Sequence, residues 1–334
     1  MIRIAINGFG RIGRQAFKAA LTRPGLSVVA INDLTDTKTL AHLLKYDTAY
    51  GKYQREVNYD EKNLIVGGQS YPVFTEKDPA ALPWAKLQVE VVLECTGRFT
   101  KPADAAKHLT AGAKRVVISA PAKGGEAPTY VLGVNGERLG SETETIINNA
   151  SCTTNCIAPV MAVLQETFGI EKAFMSTIHG YTADQNLQDA PHKDLRRARA
   201  AAENIVPTTT GAAKAVGETI LALKGIFDGI AFRVPVPTVS LSDITAVLKR
   251  NVTKDEVNAA LTAAAASPRF QNILATTSES LVSSDFVGNT YSAIVDLSLT
   301  SVIGGNLVKV VAWYDNEVGY AHRLVELAER WSAA

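Results

Sequence analysis

Ile6-Asn7-Gly8-Phe9-Gly10-Arg11-Ile12-Gly13, INGFGRIG, is the stretch on which the reading of this chain turns. It ends an apolar run, 2–7, that lacks strong alternation, as a strand buried on both faces does. It leads into apolar residues at helical spacing, Ile12, Ala16, Phe17 and Ala20. Strand, glycine turn and helix therefore follow one another directly. A second apolar run, 27–31, closes a β-α-β unit with Asn32 and Asp33 at its carboxyl end. Gly8, Gly10 and Gly13 form GxGxxG, which permits a tight turn, close approach of backbone to a pyrophosphate and close helix–sheet packing at a helix N-terminus that favours negative charge. Asp33 is placed to accept hydrogen bonds from adenosine ribose hydroxyls and to repel a 2'-phosphate, so the unit reads as a dinucleotide site that prefers NAD to NADP. The plainer alternative is a glycine-rich turn and a strand-end carboxylate with no ligand.

Outward from this unit the alternation recurs. Residues 89–93 read as a strand, 102–109 as a helix opened by Pro102, and 115–119 as another strand. The pattern predicts an α/β fold with a doubly wound, parallel Rossmann-type sheet. Beyond Asn149 the character changes to β-rich stretches at 231–250 and 291–298, with helical stretches at 212–221 and 254–265, so a second, α+β domain is expected. The segment 181–210 has little periodicity and is dense in Asp, Arg, Lys and Thr, which points to a long ordered loop of the functional kind. Residues 317–331 read as a final helix.

Bulk properties narrow the partners. With 334 residues there is room for two cores, and 46% hydrophobic with 20% charged residues is ordinary globular composition. A net charge of +1 supplies no whole-chain attraction to nucleic acid or to a membrane surface, so a small-molecule partner is expected. Three cysteines make no disulfide framework, and neither a secretory leader pattern nor an 18-residue apolar run is present. The expectation is a cytoplasmic protein.

The chemistry gathers in the second half. In SCTTNC, 151–156, Cys152 precedes apolar residues at helical spacing (Ile157, Val160, Met161, Leu164), so a helix starting there aims unsatisfied N–H groups at the sulfur and favours thiolate. His179 ends the strand-like AFMSTIH and is a candidate proton acceptor. The bland alternative is a small capping cysteine and a satisfied strand-end histidine. Arg196, Arg197 and Arg199 in HKDLRRARA, with Arg233 in AFRVP, offer guanidinium groups for phosphate, and Thr208 to Gly211 precede a helical run that could form a second anion site. No metal is expected: Cys152 and Cys156 lack the second close ligand pair that zinc requires. Cys95 reads as a core or sheet-end thiol.

Four ordered motifs, INGFGRIGR at 6–14, SCTTNC at 151–156, HKDLRRARAAAENIVPTTTGAAKAV at 192–216 and WYDNEVGY at 313–320, together resemble the phosphorylating glyceraldehyde-3-phosphate dehydrogenases, and the likeness runs essentially end to end. The resemblance implies an NAD-binding domain over 1–150 completed by a C-terminal helix at 315–334, a catalytic domain over 151–314, and a homotetramer. It implies that Cys152 attacks the aldehyde of glyceraldehyde 3-phosphate, that His179 takes a proton, and that inorganic phosphate releases the thioester as 1,3-bisphosphoglycerate. By the same likeness Thr182, Arg197 and Arg233 surround one phosphate, and Ser151, Thr153, Thr210 and Gly211 the other. Arg11 and Ile12 line the cofactor turn, Asp33 takes the ribose, Lys77 and Ser119 lie near the adenine and nicotinamide ribose, Asn316 meets the carboxamide and Tyr320 packs near the ring. Val318 where a Trp is common, Ala183 where an Asn is common, and the mixed pair Ala190-Pro191 depart from the family pattern, the last making some NADP use more plausible. The rival readings are an erythrose-4-phosphate dehydrogenase, which ends in hydrolysis, and a non-catalytic NAD- or RNA-binding protein on the same scaffold.

Overall fold

Ile4, Ala5 and Ile6 are fully buried in the strand Ile2–Asn7, which pairs in parallel with Leu26–Asn32 on one side and Val91–Glu94 on the other. Burial on both faces is what an unalternating apolar run is suited to. The computed structural model describes residues 1–140 and 144–333; residues 141–143 of the expected first domain and Ala334 of the expected last helix lie outside the described residues.

The sheet around Ile2–Asn7 runs Ile146–Asn148, Arg115–Ile118, Val91–Glu94, Ile2–Asn7, Leu26–Asn32, Gln69–Phe74, Asn63–Val66, Val57–Tyr59. The first six are mutually parallel and the last two join antiparallel. The α/β sheet expected from the sequence is present, with one correction: its far edge is an antiparallel meander. Gly67 and Gly68, both at positive φ, make the turn between Asn63–Val66 and Gln69–Phe74. The carboxyl ends of the parallel strands carry Gly8, Asp33, Cys95 and Ser119, the end at which open α/β sheets take their ligands.

Contacts divide the chain into two units. One comprises Met1–Tyr130, Arg138–Ala150 and the chain from Ala321 onward; the other comprises Val131–Glu137 and Ser151–Tyr320. Relative to the expected boundaries, 131–137 moves to the second unit and the C-terminal return begins at Ala321 rather than at 315. Within the first unit Leu324, Val325, Leu327 and Trp331 are fully buried, and Arg115 donates to the Trp331 carbonyl while lying over its ring.

The second unit is a mixed sheet in the order Val206–Thr209, Phe227–Val234, Ile170–Gly180, Ser240–Leu248, Leu307–Tyr314, Ala293–Asp296, Leu274–Thr277, with Ser301–Ile303 paired to Leu307–Tyr314. Ser240–Leu248 alternates buried and half-buried residues along its length, the mark of a strand with one covered face, and the helix Cys152–Phe168 packs on this sheet. The expected loop from 181 to 210 is shorter than the sequence suggests, because Val206–Thr209 forms a strand against Phe227–Val234.

Candidate active site and nucleotide groove

In the first unit the three glycines do two different jobs. A Cβ on Gly13 would stand 2.0 Å from the Gly8 carbonyl oxygen, and one on Gly8, at φ +91°, would meet the backbone of Cys95 and Thr96 at 2.7–2.9 Å. Both positions pack main chain against main chain. A Cβ on Gly10 would meet nothing within 4 Å, so this glycine leaves a cradle open at the start of the helix Arg11–Ala20. A groove of about 570 Å³ adjoins it, lined among others by Gly8, Gly10, Asp33, Lys77 and Phe99. Space at the helix N-terminus and a carboxylate beside it fit a dinucleotide.

Asp33 Oδ2 accepts from Phe9 N at 2.7 Å and Oδ1 from Thr35 N at 3.0 Å, so its carboxylate also ties the glycine turn to the neighbouring strand end. The Arg11 guanidinium is paired with Asp47 at 2.7 Å, and Ile12 follows it in the first helical turn. Ser119 donates its N–H to Glu94 O at the next strand end, and Lys77 is exposed on the groove. Beneath the groove is a network the sequence did not reveal. The fully buried Glu94 carboxylate accepts from Asn7, Thr96 and His108, and Trp84, a donor only, fixes the His108 tautomer by donating to Nδ1 at 3.0 Å.

In the second unit the helix Cys152–Phe168 starts where the spacing places it, with Ser151 as N-cap accepting from Thr154 N at 3.1 Å. Cys152 Sγ lies 3.5 Å from His179 Nε2. His179 Nδ1 lies 2.6 Å from Gly180 O and 3.3 Å from Arg233 Nη1; the carbonyl is much the nearer and can only accept, which assigns the proton to Nδ1 and turns the Nε2 lone pair to the sulfur. Arg233 comes alongside because Ile170–Gly180 and Phe227–Val234 pair in parallel with His179 opposite Arg233.

Burial opposes the helix N–H groups at the sulfur. Burial pushes the Cys152 thiol up, against the pull of the Arg233 charge and of hydrogen bonds from the Thr153 hydroxyl and the first helical N–H groups. Burial, then Arg233, pushes His179 down to about 3. The helix amides do reach the sulfur, but desolvation outweighs them and favours the thiol over the thiolate and the neutral imidazole over the imidazolium.

Of the expected anion ligands, Arg233 and Arg197 stand near enough to this pair for their charges to act on His179. Arg233 Nη1 donates to Thr182 Oγ1 at 3.1 Å and to Gly180 O at 3.3 Å, which aims the guanidinium along the strand ends. Arg197 is held by Thr208 Oγ1 at 3.0 Å and by an ion pair with Asp184, a residue that sequence reasoning passed over in YTADQ. Thr210 Oγ1 caps Ala212 N at 3.2 Å, with Gly211 before the helix Ala212–Thr219. The Thr153 hydroxyl is committed to the Tyr314 hydroxyl at 2.9 Å, which also bonds Thr177 at 2.9 Å and meets the His179 ring edge-on. Tyr314 was likewise missed, although WYDNEVGY contains it. Asn316 and Tyr320 are buried, and between them in sequence Glu317 N and Val318 N donate to the Asp315 carboxylate at 2.9 Å. Cys156, one turn after Cys152, is fully buried. Among the described residues no three His, Cys, Asp or Glu side chains gather as a metal site.

Comparison with known proteins bears on both units. Residues 2–102 match the model of the glyceraldehyde 3-phosphate dehydrogenase NAD binding domain, and 151–316 that of the glyceraldehyde 3-phosphate dehydrogenase C-terminal domain. The chain is 56% identical over 327 residues to the glyceraldehyde-3-phosphate dehydrogenase of Geobacillus stearothermophilus, covering 98% of this chain and 97% of that one. It is 54% identical, with the same coverage, to glyceraldehyde-3-phosphate dehydrogenase 1 of Bacillus subtilis (strain 168), and 53% identical over 334 residues to the enzyme of the same activity name from Clostridium pasteurianum, covering 98% of each. With a matching nucleotide unit, a matching thiol-bearing unit and relatives alike over nearly their whole length, the chain belongs to the glyceraldehyde 3-phosphate dehydrogenase family.

Proposed function

We infer that this chain oxidises D-glyceraldehyde 3-phosphate to 1,3-bisphosphoglycerate with NAD and inorganic phosphate, in glycolysis, and that it works as a cytoplasmic homotetramer. The single observation that carries the chemistry is the 3.5 Å contact of Cys152 Sγ with an imidazole nitrogen whose lone pair faces it. A thiol and a neutral base at this distance form a nucleophile on demand: the sulfur attacks the aldehyde carbon while Nε2 takes its proton and hands it to the carbonyl oxygen, so that a hemithioacetal results and Nε2 is free again. His179 then accepts the proton of the hemithioacetal hydroxyl as its hydride departs, leaving a thioester on Cys152. NAD, when bound, supplies the hydride acceptor. Inorganic phosphate attacks the thioester, the C–S bond breaks, and the sulfur leaves as the acyl phosphate forms.

The two phosphate groups need two anion sites. Thr182, Arg197 and Arg233 serve one, and Ser151, Thr153, Thr210 and Gly211 the other. The Arg233 side chain supports this reading, since its Nε is buried without a partner and burial weighs against its charge, a cost that an anionic ligand offsets. For the cofactor, Gly8, Gly10, Arg11, Ile12, Gly13 and Asp33 hold the pyrophosphate and adenosine, with Lys77 near the adenine, Ser119 near the nicotinamide ribose, and Asn316 and Tyr320 at the nicotinamide.

The test is NADH formation by the purified protein with glyceraldehyde 3-phosphate, with and without inorganic phosphate. Sustained turnover should require phosphate, with at most one equivalent of NADH per chain in its absence. Sustained phosphate-independent turnover, faster still with erythrose 4-phosphate, would instead establish the hydrolytic relative.

A further inference from the structure

His179 and Asn316 are joined by one hydrogen-bond chain. His179 Nδ1 donates to Gly180 O at 2.6 Å, Gly180 N donates to Ser240 Oγ at 3.1 Å, and Ser240 Oγ donates to Asn316 Oδ1 at 3.0 Å. The side chains of all three polar residues are buried, with 4%, 2% and 5% of His179, Ser240 and Asn316 exposed. Ser240 belongs to the strand Ser240–Leu248 and is opposite Tyr314, two residues before Asn316, so the sheet register itself delivers the hydroxyl to this place.

A serine hydroxyl has one proton to give and two lone pairs to offer. The Gly180 N–H can only donate, so it takes a lone pair, and the hydroxyl proton then needs an acceptor. Asn316 Oδ1 is that acceptor. With the amide turned over, Nδ2 would face Ser240 Oγ, the oxygen would accept twice, and its own proton would be stranded in a buried site, which is unfavourable.

We propose that Ser240 is a positioning residue that locks the Asn316 amide with Oδ1 inward, leaving Nδ2 as the only group Asn316 presents to a ligand. This rests on the reading of Asn316 as a partner of the nicotinamide carboxamide. A carboxamide offers a carbonyl acceptor and an amino donor, and a locked donor selects the carbonyl. The cofactor feature recognised here is therefore the C=O of the ring substituent, and the NH2 is not required at this contact.

The experiment is a set of dissociation constants, measured by fluorescence titration on the NAD-free protein, for NAD and for its 3-acetylpyridine analogue, in which a methyl replaces the NH2. The wild type, Ser240→Ala, Asn316→Ala and the double variant are compared, with unfolding midpoints as a control for folding and Ser240→Thr, which keeps the hydroxyl, as the rescue. Ser240→Ala should weaken NAD about three- to tenfold, the scale of one neutral hydrogen bond, and Ser240→Thr should restore most of it. In the Asn316→Ala background the Ser240 effect should vanish, because the serine acts through the asparagine. Asn316→Ala should weaken NAD and the acetyl analogue by the same factor. A loss for NAD alone would show that the amino group is the partner and that the proposed orientation is wrong. An unchanged NAD constant in Ser240→Ala, with a weakened one in Asn316→Ala, would overturn the role of Ser240 while sparing the reading of Asn316. An unchanged constant in Asn316→Ala would end both. Should the alanine variant fail to fold, Ser240→Cys, nearly isosteric with a weaker donor, is expected to give an intermediate loss and no loss if Ser240 has no such role.

Discussion

Burial pushes the Cys152 thiol up and the His179 imidazole down, so desolvation favours the neutral form of each and shapes how the pair responds to pH. Alkylation of Cys152 should accelerate as pH rises through an alkaline range, without the acid-side plateau that a preformed thiolate–imidazolium pair produces. His179→Asn should lower turnover roughly a hundredfold or more, the usual scale of general base catalysis. Cys152→Ala should abolish turnover with NAD affinity nearly intact, while Cys156→Ala should be mild; the reverse pattern would assign the nucleophile to the wrong sulfur. His179 also marks stability. Its folded value of about 3 lies below its ordinary 6.5, so between these values the unfolded chain binds more protons and stability rises with pH. Acidification through that window should destabilise the wild type more than His179→Asn, read as the shift of the urea midpoint between pH 7 and 4. The residue types of this site were legible because a cysteine before an apolar helix and a histidine at a strand end each carry a local signal. Their distance was not legible, nor was their ionisation, since burial is set by chain far away in sequence. Tyr314, Ser240 and Asp184 escaped because a tyrosine, a serine and an aspartate act here only through partners that the sheet register and the loop bring to them.

At the scale of the element, the glycine turn separates packing from binding. Gly13→Ala places a methyl 2.0 Å from a carbonyl oxygen, a clash between main-chain segments that no side-chain rotation relieves. It should lower the unfolding midpoint and NAD affinity together. Gly10→Ala adds a methyl to open space at the start of Arg11–Ala20, so its midpoint should stay within a degree or two while NAD binding weakens by more than tenfold. Equal affinity for NAD in the Gly10→Ala protein and the wild type would place the pyrophosphate elsewhere. Asp33→Ala belongs to the same turn. It should raise the ratio of NADP to NAD efficiency by removing like-charge repulsion, yet cost NAD affinity as well, because the carboxylate also holds Phe9 N and Thr35 N. The elements that were legible are those with strong periodicity: Ile2–Asn7, Arg11–Ala20, Leu26–Asn32, Cys152–Phe168. Thr37–Lys45 and the meander from Val57 to Phe74 were not anticipated. The meander strands are short and interrupted by polar residues, so neither period stands out; the helix does carry a start signal, Asp36 capping Thr39 N, but its apolar stripe is narrow.

At the scale of the whole molecule, the segment from Tyr181 to Ile205 exposes Leu187, Leu195 and Ile205 at 80%, 81% and 68%. Isolated surface leucines are ordinary, but three large apolar side chains on one loop ask for cover. The loop is not loose: Asp189 accepts from Arg199 Nε at 2.7 Å and Ala200 N at 2.9 Å, and Asn186 donates to Ala190 O at 2.6 Å, so the backbone holds these side chains out. The proposed homotetramer would supply the cover, each chain lending the same loop to closed symmetry. Sedimentation velocity at micromolar concentration should therefore give four times the chain mass of 35.7 kDa. Leu195→Glu places a charge where apolar contact is expected and should lower the assembled mass, while circular dichroism stays that of the wild type because the side chain supports nothing within its own chain. A wild-type protein that sediments as one chain, or a Leu195→Glu protein that assembles as well as the wild type, would mean that this loop is solvated by design and that the family's assembly does not extend to it.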